Sequence, residues 1–192
     1  MFVSEISKEE INLLTIRHFG GKIHLIDTIE KFDAAYPQIM QHHVLGFDTE
    51  TRPSFKKGKI YDISLIQLSS ADEAWLIRIN KIGIPNRLRM LMENKQILKI
   101  GAGLNDDFNK IRDLGSLVPG GFIDLQKFVE EFDIESKSLK KLTAIILGFK
   151  ISKSQQLSNW DADVLSEPQK LYASTDAWVC YEIYMELLRS QS

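Results

Sequence analysis

The sequence predicts an α/β fold in which a mixed sheet is flanked by helices. From Val44 on, three consecutive strand patterns joined by a short polar turn and a basic loop give way to strands alternating with helices. Size agrees with this: 192 residues, 44% apolar and 26% charged, is the stock of a single globular domain. A chain this long buries roughly 70% of its unfolded surface and needs no disulfide or structural zinc. The one cysteine, Cys180, has no partner within the chain, and no Cys/His cluster has zinc spacing. A reducing, cytoplasmic setting is expected.

Ser7 and Glu10 form a capping box that opens a helix running to about His18, stopped by Gly20-Gly21. Lys22 to Asp27 is a strand, and Thr28 caps a helix whose Ile29, Phe32, Tyr36 and Met40 share one face. Pro37 lies inside that pattern and is expected to end or kink it. Strands follow over Val44 to Thr49, Ile60 to Ser69 and Ala74 to Ile79, with a basic loop at 52–59 and a hairpin turn at 69–73. Next come a helix (Pro85 to Glu93), a strand (Ile97 to Gly101), a helix (Asn105 to Leu114), a strand (Phe122 to Leu125) and a helix (Gln126 to Phe132). Helices at Ser138 to Leu147 and Glu167 to about Arg189 close the series. Residues 1–192 are expected to form one domain, with 1–43 as an N-terminal extension and first elements, and 44–188 carrying the motifs.

Charge excludes one class. Lys and Arg total 24 against 26 Asp and Glu, a net charge of −2, whereas a sequence-independent nucleic-acid coat protein draws its affinity from a strong positive excess. An enzyme that carries its positive charge as bound metal is not excluded. No basic-then-apolar leader opens the chain, and no apolar run approaches the ~20 residues of a membrane span.

Three segments carry chemistry. In Gly46-Phe47-Asp48-Thr49-Glu50, strand alternation puts Asp48 and Glu50 on one face, about 7 Å apart at their α-carbons. Two acids at the end of a buried strand repel each other and resist desolvation; hard Mg²⁺ or Mn²⁺ compensates them, and the alternative is a solvated strand end. In Leu171-Tyr172-Ala173-Ser174-Thr175-Asp176, Tyr172 and Asp176 share a face of a largely apolar helix. A buried aspartate there pairs either with the tyrosine and backbone or with a metal. In Gly101-Ala102-Gly103-Leu104-Asn105-Asp106-Asp107, a strand enters a helix through a glycine pair. Asp106 stands where a dinucleotide fingerprint needs glycine, leaving helix capping or metal ligation for Asp106 and Asp107.

In chain order, Asp48, Glu50, Asp107, Tyr172 and Asp176 resemble the motif set of the DEDD superfamily of 3'-5' exonucleases, in the subgroup with tyrosine in its third motif. Gly58-Lys59, Ile66-Gln67-Leu68, Ser158-Asn159-Trp160 and Gln169-Lys170-Leu171 add to the resemblance, which spans about Val44 to Leu188. It implies a ribonuclease-H-like fold and removal of nucleotides one at a time from a 3' end as nucleoside 5'-monophosphates. It also implies two Mg²⁺ or Mn²⁺ ions, one held by Asp48, Glu50 and Asp176, the other by Asp48 and Asp107, with Tyr172 orienting the attacking water. In frame with the family, Asp107 is the ligand and Asp106 its neighbour.

The partner implied is a DNA or RNA 3' end. The chain is more similar to the Werner-type branch than to the ribonuclease D branch, which appends helical domains after the exonuclease, so DNA is favoured and RNA trimming is the alternative. A non-catalytic nucleic-acid-binding module is the rival from another class. Candidate nucleic-acid contacts are Arg52, Phe55, Lys56, Lys57 and Lys59 in the loop after the first acids, and Lys153 and Trp160 before the last helix, Trp160 being equally a core residue. His24, His42, His43, Asp124 and Cys180 read as structural.

Overall fold

The computed structural model describes residues 2–54, 58, 61–113 and 117–191, with side chains except those of Asp106, Arg112 and Asp113. Six strands form one sheet: β1 (Lys22–Ile26), β2 (Val44–Thr51), β3 (Ile63–Ser69), β4 (Glu73–Ile77), β5 (Leu98–Gly101) and β6 (Phe122–Asp124). Their order is β1-β4-β3-β2-β5-β6. The trio β2-β3-β4 is antiparallel, while β1 joins β4, β5 joins β2 and β6 joins β5 in parallel. The meander-then-alternation pattern thus becomes a mixed sheet with β2 near its middle.

Along β2, side chains alternate between two cores. Leu45 and Phe47 enter one with Ile66, Leu68, Trp75 and Ile77, covered by α2 (Ile29–Ile39) and α4 (Asn86–Glu93). Val44, Gly46, Asp48 and Glu50 take the other face, covered by α8 (Glu167–Ser190). Ser166 and Gln169 close a capping box at the start of that 24-residue helix, and Pro168 sits in its first turn, where a missing N–H costs nothing. Buried on nearly every side, α8 is the central helix of the second layer.

Lys99 on β5 is fully buried, yet its ammonium donates to the carbonyls of Leu91 (3.1 Å) and Asn94 (2.6 Å) at the end of α4 and lies 5.0 Å from the Phe122 ring centroid. It closes open carbonyls at the C-terminus of that helix.

Several expected boundaries are corrected. The first helix, α1 (Lys8–Leu13), ends five residues early, because Thr15 and Arg17 pair by backbone with Lys150. Pro37 does not stop α2, which runs to Ile39: in the last turn the proline removes a single ladder bond. A short α3 (Ile79–Ile82) follows β4, and α5 (Asn105–Asp113) follows β5. The helix expected at 126–132 divides into α6 (Leu125–Phe128) and a 3₁₀ turn at Val129–Phe132. That expected at 138–147 divides into α7 (Leu139–Leu142) and a π-helical turn at Thr143–Leu147.

Candidate active site

The site forms where β2 meets α8. At Gly46 the helix comes so close that a Cβ would lie 1.8 Å from the Ala177 carbonyl oxygen and 2.9 Å from the Tyr181 nitrogen. Glycine admits the helix backbone to the strand. That approach brings Asp176 to the two strand acids: carboxylate oxygens of Asp48, Glu50 and Asp176 all lie within 4.8 Å of one another. Asp176 is only 7% exposed, and Asp48 and Glu50 are half-buried.

Such crowding of like charge raises proton affinity. Burial, then the neighbouring Asp176 and Asp107, pushes the Asp48 carboxyl well above the usual carboxylate range. Burial and the neighbouring acids push Glu50 up to about 10. Asp176 rises to about 7 by burial, against a hydrogen bond from Tyr172 and the charge of Lys153, both of which lower it. Burial and the surrounding acids raise the Tyr172 phenol in turn, so it is a hydrogen-bond donor rather than a base. A hard divalent cation relieves every one of these repulsions together, and an all-carboxylate donor set suits it.

Asp107 arrives from α5. The glycine turn that starts this helix is tied down by Asp124, whose carboxylate accepts from the backbone N–H groups of Gly103 (2.9 Å) and Leu104 (3.1 Å) and also caps α6 through Gln126 (3.0 Å). Gly103 has φ +79°, the left-handed region. Asp107 stands beside the trio rather than within it: it accepts a hydrogen bond from the Thr49 hydroxyl while its charge raises Asp48 and Glu50. Lys110, one turn on, offsets part of the charge on Glu50 and donates to Thr51 Oγ1 at 3.2 Å. The side chain of Asp106 lies outside the described residues.

Two clefts adjoin at Glu50. One, about 300 Å³, holds Asp48, Tyr172 and Asp176 together with Lys140 and Lys153. The other, about 430 Å³, is walled by Arg52, Tyr61, Asp107, Lys110 and Leu157. Of the candidate nucleic-acid contacts, Lys153 lines the first cleft and Arg52 the second, Arg52 with its guanidinium 5.0 Å from the Tyr61 ring centroid. Phe55, Lys56, Lys57 and Lys59 lie outside the described residues. Trp160 is corrected from a nucleic-acid contact to core: it is 0% exposed and packs behind Tyr172, ring centroids 6.0 Å apart, with Leu65, Leu76 and Leu165.

Lys140, Lys110, Gln156 and Leu157 were not legible as site residues. Lys140 and Lys110 belong to short helices whose charged residues look like ordinary solvated faces. Leu157, 70% exposed at the cleft mouth, looks like any apolar residue in a polar loop.

The described helices include none long and apolar enough to cross a membrane. Comparison with known proteins matches residues 23–190 to a family described as 3'-5' exonuclease. The mouse bifunctional 3'-5' exonuclease/ATP-dependent helicase WRN is 36% identical over 157 residues, covering 75% of this chain and 11% of that protein. The crystal structure of the Aedes aegypti Nibbler EXO domain superposes with a TM-score of 0.76 at 27% identity, covering 92% of this chain and 94% of that one. Escherichia coli RNase D shares the fold, with a TM-score of 0.75 at 20% identity over 88% of this chain and 46% of its own. The chain spans 11% to 27% of the length of the first curated relatives it matches. The expected ribonuclease-H-like α/β architecture is the one found, and since the matched stretch begins in β1 and ends in the last turn of α8, it takes in every acid of the cluster: the chain belongs to the 3'-5' exonuclease family of the DEDD superfamily.

Proposed function

We propose that the protein hydrolyses phosphodiester bonds from the 3' end of a nucleic acid, releasing nucleoside 5'-monophosphates with the help of two Mg²⁺ or Mn²⁺ ions. The observation that carries this reading is the meeting of Asp48, Glu50 and Asp176 within 4.8 Å, at a raised proton affinity that a cation would relieve. Asp48, Glu50 and Asp176 would hold one ion, and Asp48 with Asp107 the second. Bound there, the ions supply Lewis acidity to an attacking water and to the phosphoryl oxygens. Tyr172, protonated and packed on Trp160, orients the water. Lys140 and Lys153 face the same cleft and suit the phosphates flanking the scissile bond.

A DNA 3' end is the favoured substrate, on the resemblance to the Werner-type branch, and we place the activity in one domain working in the cytoplasm. Digesting labelled 3'-recessed DNA and a matching single-stranded RNA side by side, with Mg²⁺ and with Mn²⁺, tests both the chemistry and the substrate. Stepwise release of 5'-mononucleotides that chelator abolishes is expected, faster on DNA. Faster digestion of RNA reverses the substrate preference, and release of no mononucleotide from either strand leaves a binding module.

A further inference from the structure

Gln67 on β3 is 0% exposed, and among the described residues neither its amide nitrogen nor its amide oxygen has a hydrogen-bond partner. A buried primary amide with donor and acceptor both unmet is costly, and apolar residues of similar volume would avoid that cost. Its place in the sheet is specific. Gln67 is the direct cross-strand partner of Asp48 and of Leu76. Directly opposed residues in an antiparallel pair share a face with Cβ atoms about 4.5–5.5 Å apart, so the amide lies on the α8 side of the sheet beside the first acid of the site. α8 packs on β3, and two residues before Asp176 it carries a second orphan, the fully buried Ser174 hydroxyl. The indole N–H groups of Trp75 and Trp160 are also unmet, but each is a single donor on a large apolar ring that packs on its own account.

We propose that Gln67 is a positioning residue of the metal centre, its buried amide N–H donating to the Asp48 carboxylate when that group ligates a divalent ion, with Ser174 supplying the hydroxyl for the amide oxygen. The inference rests on the metal-dependent reading above. A ligating carboxylate has a free lone pair that needs a fixed donor if its orientation is to be set before the ion arrives, and such outer partners typically change metal affinity about ten- to a hundredfold. Strand β3 offers one at the position directly opposite Asp48.

The test is Mn²⁺ titration of chelator-stripped protein, followed by calorimetry and by the electron paramagnetic resonance of free Mn²⁺, together with thermal melts in chelator. Gln67→Leu removes the amide at similar volume. It is expected to melt at or above the wild-type temperature without metal, and to bind Mn²⁺ about tenfold or more weakly. A purely structural Gln67 would do the reverse, lowering the melt and leaving Mn²⁺ affinity unchanged. Unchanged affinity overturns the proposal whatever the melt shows. Gln67→Met, unbranched like glutamine, carries the same measurement if the leucine variant does not fold, and failure of both to fold makes Gln67 a folding residue and overturns it as well. Wild-type protein that binds no Mn²⁺ strikes instead at the metal-dependent function itself.

Discussion

Gly46 and Ala177 meet backbone to backbone, and through that approach the central strand and the last helix present their acids to one another. The side chain missing at Gly46 would overlap the Ala177 carbonyl oxygen at 1.8 Å. Gly46→Ala is therefore expected to push α8 off the sheet, lowering stability by about 1–3 kcal/mol and separating Asp176 from Asp48. Thermal melts and Mn²⁺ affinity report the two effects, and a variant that retains wild-type affinity refutes the link between close approach and site assembly.

The proposed mechanism gives the acids and the tyrosine different work. Asp48→Ala is expected to cut kcat on the order of a thousandfold or more, since under the proposed two-ion mechanism it removes a ligand shared by both ions. Tyr172→Phe keeps the ring on Trp160 and loses only the hydroxyl, so a fall of about a hundredfold is expected with the fold intact. Single-turnover rates on chelator-cleaned, metal-reloaded protein separate the pair. Equal rates for Asp48→Ala and wild type would end the site assignment.

The raised carboxyls make the metal-free protein sensitive to alkali. Both Asp176 and Glu50 bind protons more tightly folded than unfolded, so their contribution to stability is complete below the ordinary carboxylate values of 3.8 and 4.5 and is lost as pH rises, through about 7 for Asp176 and about 10 for Glu50. Melting temperature in chelator is expected to fall between about pH 5 and about pH 9. Divalent ions compete with those protons, so the upward shift on adding Mn²⁺ should be larger at about pH 8 than at about pH 6. A flat profile in chelator contradicts the crowding of these acids.

Trp160 and the cleft lysines should separate cleanly. Trp160→Ala opens a buried void and is expected to cost about 3–5 kcal/mol of stability. Lys140→Ala and Lys153→Ala should leave the melt near wild type, weaken substrate binding, and reduce the slope of log affinity against log salt by about 0.7–0.9 for each phosphate that is no longer neutralised. A salt slope untouched by the double variant removes these lysines from the substrate path.

Period and spacing made the strand acids legible: alternation alone puts Asp48 and Glu50 on one side of β2, and helical spacing alone pairs Tyr172 with Asp176. The two pairs meet through Gly46, whose role is visible only once a helix is seen lying against it. The burial of Trp160 was likewise hidden, because a tryptophan in a polar loop has the same local signature whether it faces a base or a core. The overlong first helix has a non-local cause too, since the capping box at Ser7 announces a start while the stop at Leu13 comes from pairing with a residue far along the chain. Lys110 and Lys140 sit at the clefts by tertiary placement, with no periodic signature of their own.

That distant pairing has a practical bearing. Residues 15–17 run alongside Lys150, whose ammonium reaches the Asn12 carbonyl at 2.6 Å; Arg17 lies over the Phe149 ring; and the Phe19 amide donates to Thr175 Oγ1 at 3.0 Å. The N-terminal partners, Asn12 to Phe19, precede the stretch shared with the family, yet they strap down the segment leading to Lys153 and the turn of helix that bears Asp176. A shortened version beginning at residue 22 would discard the buckle while keeping every shared motif, and should emerge from purification with a loosened rim.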